Sequence, residues 1–295
     1  MIMNRINLLI AVAALMAGCS GNNDKADAYG NFEAVEYIIS SEGNGKLLSF
    51  SAEEGSVLDS GRMIGLVDTI PLYLKKAQLI AQKRLSASKY VNIQSQIDVQ
   101  NEQKKNLERE KNRLENLLKG GATPQKPLDD MNGNIDVLNS QIRSTETQRQ
   151  MVADELRVYD KQIEQVNDQI SKCFVINPVK GTVLEKYTEP HELVSAGKPL
   201  YKLADLRTLD LTAYISGSQL SSIKVGDTAR VFYDVDGKKM QSLPGVIYWV
   251  ASKSEFTPKI IQTRDERVNL VYAIKVRTRN NGELKIGMPA EVRFK

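Results

Sequence analysis

Residues 119–127 read Lys-Gly-Gly-Ala-Thr-Pro-Gln-Lys-Pro and break a long stretch that otherwise has no reason to turn. Two glycines suit the end of one helix, and a proline suits the first turn of the next. From residue 71 to residue 173 there is no Phe or Trp, and glycine occurs only as Gly120, Gly121 and Gly133. Such a segment has no material for a globular core, yet its apolar residues recur every seven. After the turn, Leu128, Ile135, Ile142, Leu156, Ile163 and Ile170 form one stripe, interrupted by Arg149. Met131, Leu138, Val152, Tyr159, Val166 and Cys173 form a second stripe three residues behind it, interrupted by Thr145. That offset is the a and d pattern of a coiled-coil seam. Before the turn the pattern is sparser: Leu72, Leu79, Ile93, Leu107 and Leu114 share a heptad position with Ser86 and Gln100, while Tyr90, Ile97 and Leu118 lie close to that stripe. The spacing predicts an antiparallel helical hairpin over 71–173, a rod about 70 Å long. Its basic and acidic residues are mixed rather than massed on one face, which argues against nucleic acid or a membrane surface as its partner.

The segments flanking the rod repeat one another. Gly45 and Gly181, and Gly61 and Gly197, are both separated by 136 residues. At the same offset Leu47 matches Val183, Leu58 matches Val194 and Ile64 matches Leu200. Short apolar strands with glycine turns at matched spacing imply two similar β-units closing on each other, with the hairpin inserted between them. His191 stands where Gly55 stands in the first copy, so it reads as a turn residue. Paired halves of this kind resemble the lipoyl or biotinyl carrier domain, and halves split by a long hairpin resemble the haemolysin D-type periplasmic adaptor, or membrane fusion protein, family. A carrier displays its modified lysine on the tight turn joining the halves. Here that junction is the departure and return of the hairpin, so a swinging-arm carrier is rejected.

From residue 206 to the end the pattern alternates and is β-branched, as in 208–215, 228–235 and 268–276. Turns fall at Gly226, Asp236-Gly237, Asn281-Gly282 and Gly287, and about six short strands fit a small β-barrel. Residues 219–227 are similar to the adaptor barrel's early helix and turn. Residues 256–276, closed by 284–290, look like the barrel's end in adaptors that work with ATP-driven exporters. Arg264, Asp265, Glu266 and Arg267 have no adjacent nucleophile, histidine or metal set, so they are expected to pair within the barrel or between subunits.

At the other end, Arg5 followed by an apolar run through Met16 is an export-signal pattern too short to span a bilayer. Met16-Ala17-Gly18-Cys19 resembles the lipobox of bacterial lipoproteins, which implies cleavage after residue 18 and acylation of Cys19. Residues 19–28 read as a polar tether. The 295 residues hold one histidine and two cysteines. That removes most zinc sites, Cys-His pairs and disulfide frameworks, so no enzyme activity, metal or cofactor is expected. Forty basic against 36 acidic side chains give a net charge of only +4, which points to no nucleic-acid partner.

The expected fold is mainly β with a long coiled-coil hairpin: a lipoyl-like barrel-sandwich hybrid from 29–70 and 174–205, the hairpin 71–173, and a small β-barrel, 206–295. The family resemblance implies a lipid-anchored periplasmic homo-oligomer, a hexameric ring at the inner membrane. It would link an inner-membrane exporter of the ABC type to a TolC-like outer-membrane channel for export of small molecules such as drugs. Family hairpin tips often carry an arginine, a leucine four residues on, and then a serine. Arg113 and Leu117 match; Pro124 occupies the serine's place, and Thr123 offers a hydroxyl instead. No extra membrane-proximal domain is expected beyond the barrel. A proton-driven exporter as partner, or a structural lipoprotein spanning the envelope without transport, remains open.

Overall fold

The computed structural model describes residues 26–235, 240–256 and 270–294; the export signal, Cys19, the Asp236-Gly237 turn and residues 264–267 lie outside the described residues. In chain order the first elements are β1 (Ala28–Glu33), β2 (Glu36–Ser40), β3 (Gly45–Phe50), β4 (Val57–Leu58) and β5 (Met63–Val67), then helices α1 (Ile70–Lys119) and α2 (Lys126–Ser171). The return holds β6 (Phe174–Ile176), β7 (Gly181–Lys186), β8 (Leu193–Val194) and β9 (Pro199–Ala204). The last third holds β10 (Thr208–Ser216), β11 (Thr228–Asp234), β12 (Met240–Val250), β13 (Glu255–Phe256), β14 (Leu270–Arg279) and β15 (Pro289–Phe294). Among the described residues two compact units result: 38–202, and 26–37 together with the described residues from 203 to 294.

In the first unit the internal repeat is a physical pseudo-twofold. Gly45 pairs with Val194 and Lys46 with Leu193 between β3 and β8, and at the same offset Gly181 pairs with Leu58 and Thr182 with Val57 between β7 and β4. Each half lends two strands to the other half's sheet, β2 and β4 in one direction and β6 and β8 in the other, giving the orders β2-β9-β7-β4 and β6-β5-β3-β8. Loop hydrogen bonds repeat too: Gly55 N–H donates to Val183 and His191 N–H to Leu47, while Gly61 N–H donates to Asn177 and Gly197 N–H to Ser41. Leu47, Leu58, Val67, Val183 and Leu200 are buried between the halves. Burying each such side chain contributes about 1.5–3 kcal/mol.

The turn glycines have unequal roles. Gly61 and Gly197 both sit at positive φ (79° and 88°), as do Gly55 (81°) and its counterpart His191 (76°), the only non-glycine residue there among the described residues. Gly45 also has positive φ, whereas Gly181 lies in ordinary strand geometry and pairs with Leu58. The Gly45/Gly181 match thus marks a shared strand register rather than a shared backbone conformation.

The second unit is a closed barrel: strands run β10-β1-β15-β11-β12-β14, and β14 pairs back onto β10. Phe32, Leu209, Leu211, Ile215, Ile247 and Ile274 fill its interior. The Asp210 carboxylate accepts two hydrogen bonds from Arg277, 2.8 and 3.0 Å long, across the closing β10–β14 pair. One boundary needs correction. Residues 29–33, expected in the first half-domain, form β1 and lie between β10 and β15. Ala28 and Phe32 point into the barrel core, and a Cβ at Gly30 would stand 2.0 Å from the Thr212 carbonyl oxygen, so only glycine permits this contact.

Candidate functional site

The hairpin grows out of the half-domain core. Asp68 Oδ1 accepts a 2.9 Å hydrogen bond from the Ile70 amide, covering a free donor at the start of α1, and Pro71 follows in the first turn. At the far root, Val67 N–H donates to the Cys173 carbonyl at 2.8 Å and ties the departing chain to the returning one. Cys173 is fully buried, and burial, reinforced by the Asp68 carboxylate, pushes its thiol pKa up. A raised pKa and no exposure make it a packing residue rather than a nucleophile.

Along α2, all fourteen seam positions from Leu128 to Cys173 are buried or half-buried. The seam of α1 is just as regular, but four of its fourteen positions are lysines. One row is the predicted Leu72, Leu79, Ser86, Ile93, Gln100, Leu107 and Leu114. The other is Lys76, Lys83, Tyr90, Ile97, Lys104, Lys111 and Leu118, and every member of both rows is buried or half-buried. Lysine stems cover apolar surface while their ammonium groups reach water, so these positions pack without reading as hydrophobic. Lys83 reaches Asp160 of the other arm, and Arg149 donates to Gln94 Oε1 at 2.6 Å. Polar seam groups lower stability and fix register, and here they set 83 level with 160 and 94 level with 149.

The tip is built as its sequence demands. Gly120 caps α1, Gly121 takes φ 69°, and Ala122 N–H donates to Leu117 O at 2.9 Å. Pro127 occupies the first turn of α2, and Gln125 Nε2 donates to Asp129 Oδ1 at 2.8 Å. Arg113 is three-quarters exposed, with Glu110 3.9 Å away, and Leu117 one turn later is 42% exposed. Thr123 is half-buried within the turn, and Pro124 is exposed. A cationic group and an apolar group therefore project from the end of the rod. Among the described residues no group of three or more His, Cys, Asp or Glu is placed to hold a metal, and no helix is long and apolar enough to cross a membrane.

Against this geometry the similarities can be stated. No protein-family model matches the chain. The UPF0194 membrane protein YE2891 of Yersinia enterocolitica is 26% identical over 327 residues, covering 99% of both chains. The UPF0194 membrane protein YbhG of Salmonella gallinarum is 24% identical, covering 97% of this chain and 96% of its own. Among solved structures, MacA from Actinobacillus actinomycetemcomitans superposes with a TM-score of 0.58 at 16% identity over 90% of this chain and 76% of its own. The membrane fusion protein Spr0693 of Streptococcus pneumoniae gives 0.51 at 13% identity, over 90% and 97%. At these identities the likeness establishes the fold: β-units split by a long hairpin, followed by a barrel.

Proposed function

We propose that the chain is the periplasmic adaptor subunit of a three-part export system, passive in chemistry, coupling an inner-membrane exporter to an outer-membrane channel. The carrying observation is the hairpin itself: arms of 50 and 46 residues, about 70–75 Å long, rooted in a split half-domain and ending in an exposed Arg113–Leu117 pair. Nothing about a rod of this length serves catalysis. It serves reach.

The finer reading is an ABC-type exporter as partner, a TolC-like channel at the tip, anchoring at the inner membrane through acylated Cys19, and drug-like cargo. Acylation holds a protein at a membrane because each buried methylene contributes about 0.8 kcal/mol. The ring of six is what the family resemblance implies, and lateral contact between copies is supported by the charges of the two arms. The α1 segment carries eleven basic and five acidic residues, while α2 carries five and nine. Laying α1 of one copy beside α2 of the next brings opposite signs together, a head-to-tail contact that forms a ring where the rotation between copies closes.

Single cysteines placed along residues 110–130 test the docking in cells. The expected result is crosslinks to an outer-membrane channel concentrated near Arg113, Leu117 and Thr123; no adduct at any position would remove the channel from the proposal. For the anchor, labelled fatty acid should enter the wild type and not Cys19→Ser, and equal incorporation would overturn that part alone.

A further inference from the structure

Lys83 meets Asp160 and Arg149 meets Gln94, so the residues just after the seam on both arms lie on one side of the hairpin. The hairpin therefore has two distinct flanks, and their chemistry differs. On the opposite flank, α1 presents Asn92, Gln96, Val99, Gln103 and Asn106. On the same flank α2 presents Asn134, Val137, Gln141, Ser144, Gln148 and Met151. All eleven are exposed, and none is charged. Over the same span the other flank carries Asp98, Lys105, Glu108, Asp136, Arg143 and Glu146. In a rod otherwise dense in charge, an uncharged strip about 25 Å long, amide-rich and with three exposed apolar side chains, sets this flank apart from the one opposite.

We infer that this uncharged flank is the inner wall of the conduit, and that the cargo it suits is electrically neutral or amphipathic rather than ionic. The inference rests on the ring proposed above. When oppositely charged arms of neighbours meet edge to edge, each hairpin turns one flank inward and the other outward. The charged flank keeps its solvation on the outside, and the amides and small apolar groups face the passage. Rings of fixed charge select permeants by sign. Along this strip a wall of Gln, Asn, Ser, Val and Met has no such rings, charge returning on the same flank only beyond it, at Lys89, Glu110, Asp130 and Glu155. Within the strip cargo is sorted by size and meets weak apolar and hydrogen-bonding contact.

Size-graded labelling of the assembled full chain tests the assignment. Single cysteines replace Gln103 or Ser144 on one flank and Lys105 or Arg143 on the other, with the parent chain reporting the background from Cys19 and Cys173. Thiol labelling follows exposure, so a small maleimide should react at all four sites, while a polymer-linked maleimide should be slowed on the order of tenfold or more only at 103 and 144. Equal polymer labelling on both flanks of an oligomer, or protection of 103 and 144 from both reagents, overturns the inner-wall assignment. Light scattering of the same samples separates the two proposals, because a monomer removes the ring and the wall together.

Discussion

The Tyr201 hydroxyl donates a 3.0 Å hydrogen bond to Oδ1 of Asn177, and both residues are completely buried. Asn177 spends its own amide hydrogens on the carbonyls of Asp59 (3.0 Å) and Val179 (2.7 Å), so one side chain joins the first half of the repeat to the second. Asn177→Ala would strand the buried Tyr201 hydroxyl and remove the donors to the Asp59 and Val179 carbonyls, the first of which still receives the Arg62 N–H at 3.4 Å. An unsatisfied buried group costs about 1–3 kcal/mol, and the expected loss is about 2–3 kcal/mol. Tyr201→Phe strands only Oδ1 and should cost about 1–2 kcal/mol. Urea midpoints read both, and a shift below 1 kcal/mol for Asn177→Ala would contradict the bridging role.

Burial pushes the Tyr201 hydroxyl up to about 12 from an ordinary value of 10.0. The folded chain therefore keeps a proton that the unfolded chain releases first. This contribution is fully present below about pH 10 and is lost as pH rises toward 12, by on the order of 2–3 kcal/mol. Tyr248 is pushed to about 12 as well, by burial and by its hydrogen bond to Asp210, so the wild type alone does not isolate the effect. Comparing alkaline unfolding of wild type and Tyr201→Phe does: the variant's alkaline loss should be smaller by that amount, and parallel curves would refute it.

His191 holds φ 76° at the place where the first half has Gly55 at φ 81°. A side chain in the left-handed region costs about 1–2 kcal/mol, whereas glycine gives back roughly 0.5–1 kcal/mol through its freer unfolded chain. His191→Gly should therefore stabilise by a net of about 0.5–1 kcal/mol, and Gly55→Ala should destabilise by about 1 kcal/mol. Thermal melts check both signs.

The sequence shows most of this architecture because period and offset are local arithmetic. A stripe every seven residues and a repeat every 136 need no tertiary information, and the strand pairs Gly45–Val194 and Gly181–Leu58 obey the repeat. What escaped has physical causes. Lys76, Lys83, Lys104 and Lys111 pack by their stems, which a hydrophobicity criterion does not score. The exchange of β1 into the barrel is a long-range choice that nothing local encodes except Gly30. Asn177 and Ser41 occupy equivalent positions as buried polar residues, but their shared role appears only when hydrogen bonds are traced. At the tip, Arg113 and Leu117 are exposed, while Thr123 is partly withdrawn into the turn.

Gly30→Ala should break the barrel selectively. The new Cβ would stand 2.0 Å from Thr212 O and 2.6 Å from the Ala213 Cα, both backbone atoms that do not swing away. The only tryptophan, Trp249, lies on β12 in the barrel and so reports this unit alone. Trp249 is already 41% exposed, with the Lys275 ammonium 5.9 Å from its ring centre, so the expected outcome is loss of that contact and a lowered urea midpoint of its emission while the helical circular dichroism of the hairpin persists. Native emission with an unchanged urea midpoint would show that β1 is not tightly held.

The tip separates contact from stability. Leu117 is 42% exposed and Arg113 is held only by a 3.9 Å approach to Glu110, so neither supports the fold to a measurable degree. Exposed substitutions of this kind move stability by about 0.5 kcal/mol or less, and an interfacial leucine or arginine whose surroundings dry on docking commonly contributes more than 1 kcal/mol to binding. Leu117→Asp and Arg113→Ala should thus leave helix content and melting unchanged. In cells carrying the partner exporter and channel, each should lower export about fivefold or more, with the double variant near the level of a deletion. Full export by the double variant at normal protein level would place the coupling contact elsewhere on the rod, because no structural defect would remain to explain the result.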